Sequence, residues 1–312
     1  MAAITGIEWC DSTANLWVGC TKVSCGCDHC YAETLFGTEG TRFRDTVWGP
    51  HGDRRYIKAG WADIRRFQRA AAKNGGIDPI LGRKRRIFVN SVSDIFDNHK
   101  SIVWRDDFWD LVRECPDLIF ILVTKRPINV KRMVPAFFHE ISDRIVLLTS
   151  VENQEFANLR LWHLMQSLAV IAPPLAIGVS YEPALERIDF TRIEVGKNGD
   201  QWFNALTGVF SVLEKDGSIA SLPMPHFWAT PNSGQVVIRP LDWLIMGGES
   251  GKGFREMDEL WAVDTRAAVI TANEYRSDSC LDACAFFFKQ MAGKAPIPPY
   301  LATREFPAAF GG

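Results

Sequence analysis

"LIFILVTKRP", residues 118–127, runs through six apolar residues and breaks abruptly into Thr124, Lys125, Arg126 and Pro127. An unbroken apolar run fits a strand buried on both faces, as in parallel sheets. The same pattern recurs in "RIFVNSVSD" (86–94), "RIVLLTSVEN" (144–153), "LAIGVSYEP" (175–183) and "DWLIMGGES" (242–250). Between most of these runs lie stretches of helical character: "SIVWRDDFWDLVRECP" (101–116), "PINVKRMVPAFFHEI" (127–141) and "NLRLWHLMQSLAV" (158–170). Strand and helix in alternation predict βαβ units and a parallel sheet or barrel. "NLWVGC" (15–20) reads as a first strand and "CAFFFKQ" (284–290) as a last one, with Lys289 and Gln290 at its end.

Parallel α/β folds gather their ligands at the carboxyl ends of the strands. The polar breaks therefore mark one mouth, lined by Ser93, Asp94, Lys125, Arg126, Ser150, Glu152, Asn153, Glu182 and Glu249. For each of them a helix cap or a loop hydrogen bond is the alternative use. The region 190–240 departs from this rhythm: it is loop-rich, with turn signals at Asn198-Gly199 and Asp216-Gly217. It reads as an insertion with a hairpin inside one domain spanning 1–290. Residues 291–312, with the Pro-rich "APIPPY" (295–300), form a C-terminal tail.

The chain has 312 residues, 47% hydrophobic and 23% charged, which is a globular profile able to bury a sizeable core. No apolar run reaches the roughly 18 residues of a membrane span. The first residues lack the basic-then-apolar pattern of a signal peptide. A cytoplasmic protein with no membrane partner is expected. The net charge of −2 argues against polyanion binding by the chain as a whole. Residues 42–69 and "GRKRR" (82–86) nonetheless concentrate arginine and lysine around Phe43, Trp48, Tyr56, Trp61 and Phe67. Arginine with aromatics suits phosphate contact and base stacking; a solvated helix face leading into a strand is the alternative. On the first reading Arg54, Arg55, Arg65, Arg66 and Arg69 hold a nucleic-acid backbone, and Trp48 or Trp61 stacks on a base.

"GCTKVSCGCDHCYAE" (19–33) places Cys20, Cys25, Cys27 and Cys30 in one short loop, followed directly by Tyr31. In a reducing compartment such density means metal binding or catalysis rather than disulfides. A structural zinc site would take four thiolates in a closed tetrahedron, though such sites usually pair two separated knuckles. An iron–sulfur cluster used as a redox catalyst takes three and leaves one iron open. Elsewhere, "GGESGKG" (247–253) allows close backbone approach to a ligand but lacks the Lys-Ser/Thr ending of an ATP-binding loop. Cys280 and Cys284 are spaced to pair on a helix face, or to sit in the core.

"IEWCDSTANLWVGCTKVSCGCDHCYAE" (7–33), followed in order by "LVTKRP", "TSVEN", "SYEP", "DWLIMGGESG" and "FFFKQ", resembles the phage-associated three-cysteine-motif family of radical S-adenosylmethionine (SAM)-like proteins. The resemblance runs from Ile7 to about Gln290. It implies a partial parallel (β/α)6-type TIM barrel of the radical SAM kind. It also implies a 4Fe-4S cluster on the C-x6-C-x2-C cysteines Cys20, Cys27 and Cys30, and S-adenosyl-L-methionine as cosubstrate. Cys25 is a departure, since the family usually carries proline there. Its role stays open among a spare thiol, a substitute for Cys20 and a fourth ligand that closes the cluster. The implied activity generates a 5′-deoxyadenosyl radical with an electron from a donor such as flavodoxin or ferredoxin.

Ser93, Asp94, Ser150, Glu152, Asn153 and Tyr31 then become the cofactor-binding residues, with Asp94 alternatively an N-cap. Glu182, Glu249 and Lys125 become the catalytic groups on the substrate side. The phage association and the basic stretch imply DNA or a modified nucleotide as substrate, specifically a hypermodified thymine whose side chain is rearranged. For a phage-encoded chain the compartment is the host cytoplasm. The other functions weighed are a non-catalytic iron–sulfur or zinc module that binds nucleic acid, a radical enzyme for a small metabolite, and a base-lesion repair lyase.

Overall fold

The apolar runs form strands, and the polar breaks end them. The computed structural model describes residues 5–37, 44–99, 102–196, 198–222, 227–230, 234–251 and 253–311. Arg42 and Phe43 of the basic stretch, Ser101, Lys252, and positions 197, 223–226 and 231–233 of the insertion lie outside the described residues. In chain order the elements are β1 (Ser12–Ala14), β2 (Trp17–Val18), α1 (Tyr31–Gly37), β3 (Arg55–Tyr56), α2 (Lys58–Lys73), β4 (Arg85–Val89), α3 (Arg105–Glu114), β5 (Leu118–Thr124) and α4 (Pro127–Met133). Then come β6 (Ile145–Ser150), α5 (Gln154–Leu168), β7 (Ala176–Tyr181), β8 (Ile193–Glu194), β9 (Gln201–Phe203), β10 (Phe210–Leu213), β11 (Ile219–Leu222), β12 (Phe227–Thr230) and β13 (Gly234–Val237). The last are β14 (Trp243–Gly247), α6 (Glu259–Asp278) and β15 (Ala285–Gln290).

The fold is mixed α/β. Its main sheet has seven strands in the order β1-β4-β5-β6-β7-β14-β15. The registers of β1 with β4, β4 with β5, β7 with β14 and β14 with β15 are parallel. Every residue of β4, β6, β7 and β14 is buried, as strands covered on both faces require. The chain forms two compact units: residues 1–148 with 172–175 and 309–312, and residues 149–171 with 176–308. Among the described residues no helix is long and apolar enough to cross a membrane.

Four expectations need correction. The first parallel strand is Ser12–Ala14, whereas within 15–20 only Trp17–Val18 is extended, and it pairs antiparallel with β3. Asn90 sets this break: at φ 61° it ends β4, and its side chain accepts the Leu16 N–H at 2.7 Å, turning the chain toward the cysteines. The helix expected to reach residue 141 stops at Met133, because Val134 precedes Pro135 and is held extended at ψ 149°. Region 190–240 holds the expected hairpin but more strand than expected: among the described residues it carries a four-stranded antiparallel sheet β11-β10-β9-β8 and the β12–β13 pair. Gly199 at φ 67° and Gly217 at φ 83° take the two turns signalled in the sequence. Cys280 and Cys284 do not pair on a helix, since α6 ends at Asp278; Cys280 sits exposed at φ 55°, while Cys284 lies in the core as the other reading had it. The segment after β15 is tied down: Phe288 donates its N–H to Thr303, and the Trp243 indole donates to the Glu305 carbonyl at 3.1 Å.

The "GRKRR" arginines turn inward. Arg85 pairs with Asp78 at 2.7 Å and donates to Ser12 Oγ, while Arg83 and Arg86 both grip Asp11. Asp11 accepts from both Arg83 Nη atoms at 2.8 Å and from the Arg86 N–H at 2.8 Å. Burial pushes this carboxyl up, but the hydrogen bonds from Arg83 and Arg86 win and hold it well below the usual carboxylate range. A lowered folded pKa stabilises fully above the unfolded aspartate value of about 3.9 and loses that contribution as pH falls through the folded value. Asp11→Asn is therefore expected to cost about 1.5–3 kcal/mol at neutral pH, with the gap to the parent closing in acid. Urea unfolding at pH 7 and pH 3 measures it; an unchanged gap would rule out the ionised carboxylate as the source.

Candidate functional site

The cysteine loop is built by its neighbours in the first unit. Gly19 has φ 108°, and a Cβ there would lie 2.3 Å from the Val47 carbonyl, so only glycine fits. Its N–H reaches Val92 O at 3.2 Å, and Cys20 O accepts from Gly49 at 2.9 Å, which fixes the loop against the carboxyl end of β4. Cys25–Cys27 form a single 3-10 turn, and α1 starts at Tyr31, directly after Cys30. The Tyr31 hydroxyl donates to the Ser91 carbonyl. Cys30 packs with Trp48 against Val18, Ala32, Val47 and Val92. The Cys27 thiol lies 3.8 Å from Ser24 Oγ. None of the cysteines is in a disulfide.

Beneath the loop lies a buried network of two arginines and two aspartates. Arg126 Nη1 donates to Cys20 Sγ at 3.5 Å and to Asp94 Oδ2 at 3.1 Å, while Nη2 donates to Thr21 O at 2.6 Å. Asp97 lies 3.7 Å from Arg126 and 2.8 Å from Arg54. Arg54 also donates to the carbonyls of Val47, Gly49 and Gly52 and to Thr21 Oγ1 at 2.7 Å. Asp94 accepts from Thr124 Oγ1 at 2.9 Å, from the Lys125 N–H at 3.1 Å and from the Phe96 N–H at 2.8 Å. Burial pushes the Cys20 thiol up to about 12, against the pull of Arg126. Burial also works to lower Arg126, but Asp94 and Asp97 outweigh it, so the guanidinium keeps its proton more firmly than usual.

Several sequence-derived assignments change here. Arg54 is 3% exposed with its donors engaged inside the protein, so it is not a phosphate contact. Trp61, at 4% exposure, is not a base platform; Tyr56 is exposed and stacks on it at 5.6 Å. Arg126 faces a sulfur and Asp94 rather than an open mouth. Arg55, Arg65, Arg66 and Arg69 are exposed, which both the backbone-contact and the solvated-face readings require; Arg65 pairs with Glu114 at 3.5 Å and Arg66 with Asp63 at 2.7 Å. Ser93 Oγ donates to Trp17 O at 3.0 Å.

The second unit holds the other named residues. Glu152, fully buried, accepts from Arg160 at 2.8 Å, and Arg160 also donates to Ser150 O. Asn153 caps α5 by accepting the Phe156 N–H at 3.0 Å. Glu182 follows β7 and pairs with Lys289 of β15 at 2.7 Å, with Ser180 Oγ 3.3 Å away. Glu249 accepts from Arg255, through its N–H at 2.8 Å and its guanidinium. Gly248 leaves room for this chain's own Ala292, whose backbone N would lie 2.5 Å from a Cβ, rather than for a ligand. Lys289 as the partner of Glu182 and Arg126 as the partner of Cys20 were not readable as pairs. Their only signal was a cation at a strand end.

The donor set of the loop suits a thiolate-ligated metal group: thiols outside any disulfide at C-x6-C-x2-C spacing, with a guanidinium against one sulfur. Among the described residues no three His, Cys, Asp or Glu side chains converge as the ligands of a single metal ion would; thiolates of a 4Fe-4S cluster bind separate irons and need not meet at one point. The fold and site define an α/β protein with a cysteine loop at the carboxyl ends of parallel strands. Residues 4–299 match the family described as "Protein of unknown function (DUF5131)", and the chain belongs to it. No curated protein and no solved structure matches the chain.

Proposed function

We propose that this protein is a radical SAM enzyme on a partial parallel α/β barrel, one strand longer than the expected (β/α)6 type, with a 4Fe-4S cluster ligated by Cys20, Cys27 and Cys30. The observation that carries the reading is the loop itself: three spaced thiols outside any disulfide at the ends of β4 and β5, one facing a buried guanidinium. When bound, the cluster supplies the one-electron reductive cleavage of SAM that yields a 5′-deoxyadenosyl radical. The chain's own residues prepare that site. The three cysteines release their protons on ligation. The apolar group of Val18, Val47, Val92 and Trp48 covers one side of the half-buried Cys30. Asp94 and Thr124 hold Arg126 in place, and Lys125 adds a cation at the same strand end. Within the second unit, taken by itself, Glu182 after β7 is paired with Lys289 of β15, and Glu249 follows β14. The test is anaerobic reconstitution with iron and sulfide, reduction by dithionite, and assay for 5′-deoxyadenosine from SAM. A colourless protein carrying one zinc, with no nucleoside released, would overturn the proposal. Cys25 favours that second reading, since four thiols can close a zinc or iron–sulfur site in a non-catalytic module.

The proposed substrate is a nucleobase in DNA, a hypermodified thymine being the chemistry most suited to a radical rearrangement. A base must be flipped or single-stranded to be attacked. The exposed Arg55 and Arg69, and Arg65 and Arg66 once released from Glu114 and Asp63, support backbone binding. Reversing the charge of Arg55 and Arg69 is expected to lower the slope of log affinity against log salt by ~0.7 to 0.9 for each phosphate that the protein no longer neutralises. SAM cleavage without substrate should be untouched. Unchanged DNA and RNA binding would favour a small-molecule substrate.

A further inference from the structure

We infer that Arg126 sets the electron affinity of the iron–sulfur group held by the cysteine loop, through its hydrogen bond to Cys20 Sγ. The inference rests on the cluster reading above and adds a role for a residue that ligates nothing.

Arg126 is 8% exposed and held from three sides: Asp94 Oδ2 at 3.1 Å, Thr21 O at 2.6 Å and Asp97 at 3.7 Å. It cannot swing away from Cys20, whose sulfur lies 3.5 Å from Nη1. The two aspartates and the two arginines of the network cancel in charge, so it is no site for an anionic ligand. What remains directed is one N–H aimed at a sulfur, in surroundings of low dielectric where a fixed charge acts strongly. Hydrogen bonds and positive charge at a ligating sulfur stabilise the reduced, more negative state of an iron–sulfur group and raise its potential. Only the planar fork of arginine serves the sulfur and the Thr21 carbonyl together; a lysine ammonium is a point charge. The step concerned is the uptake of one electron from a low-potential donor, with no bond made or broken. Arg126 is thus a positioning residue, acting through Cys20.

The test is a mediated redox titration of the reconstituted, full-length protein, followed by electron paramagnetic resonance. Arg126→Met is expected to shift the one-electron equilibrium toward the oxidised form at least tenfold, a fall of ~59 mV. Arg126→Lys is expected to fall by less. Asp94→Asn removes the charge that offsets Arg126 and keeps the shape, so its potential is expected to rise. A merely structural role gives no such opposite signs. Shifts below twofold in loaded Arg126→Met, or a fall in Asp94→Asn, overturn the inference. Where Arg126→Met takes up no iron, Arg126→Lys decides, and a parent-like potential overturns it. A parent protein that binds no cluster fails the proposed function itself, and is seen before any variant is compared.

Discussion

Alanine at Cys20, Cys27 or Cys30 is expected to reduce iron from about four per chain to background and to abolish 5′-deoxyadenosine release, while Cys25→Ala retains both. An open cluster needs three thiolates, and removing one leaves two irons without their protein anchor or the site without its geometry. The structure gives the three different surroundings. Cys20 meets Arg126, Cys30 is seated on Val18, Val47 and Val92, and Cys27 closes the 3-10 turn that Cys25 opens. Iron and sulfide analysis of the four single variants, with SAM turnover under dithionite, checks this. Loss in Cys25→Ala together with a silent Cys20→Ala would transfer the first ligand to Cys25 and would also remove the basis for the role of Arg126. Loss in all four would point to a closed site.

What the sequence showed and hid follows from burial. Strands β4 to β7, β14 and β15 were legible because burial on both faces leaves an unbroken apolar run. β1 was not, since Ser12–Ala14 is short and built of small residues. Helix α6 buries Ala262, Thr265, Val269, Ala272 and Arg276, a face too small and polar to announce itself. The cysteine loop was visible as spacing alone. Its support was not, because the contacts are remote in sequence: Arg54 meets Asp97 across 43 positions and Arg126 meets Cys20 across 106. Composition also misled. A run of arginines reads as a surface, yet Arg54, Arg85 and Arg86 are all turned inward onto aspartates. Charge pattern gives the type of interaction available, and only the fold decides whether its partner is a phosphate or a carboxylate of the same chain.

Arg54→Met is expected to cost about 3–5 kcal/mol, the penalty of removing one partner from a buried ion pair. Methionine fills much of the volume but none of the hydrogen bonds. Asp97 would keep Arg126 only at 3.7 Å, and the Val47 and Gly52 carbonyls, served at 2.8 and 2.7 Å, would lose their donor. The loss falls on the segments that hold the cysteine loop, because Arg54 also ties Thr21 through its hydroxyl. Iron uptake should therefore fall with stability, while Arg55→Met, at an exposed position, should stay within roughly 0.5 kcal/mol of the parent. Urea unfolding of the two variants separates these outcomes, and an Arg54→Met midpoint equal to the parent's would refute the account. A double variant adds a sharper criterion. With Asp97→Asn the unpaired charge is gone, so Arg54→Met with Asp97→Asn should cost less than the sum of the two single losses. Additive losses would mean that Arg54 serves mainly the carbonyls of 47–52, and that Asp97 belongs to Arg126.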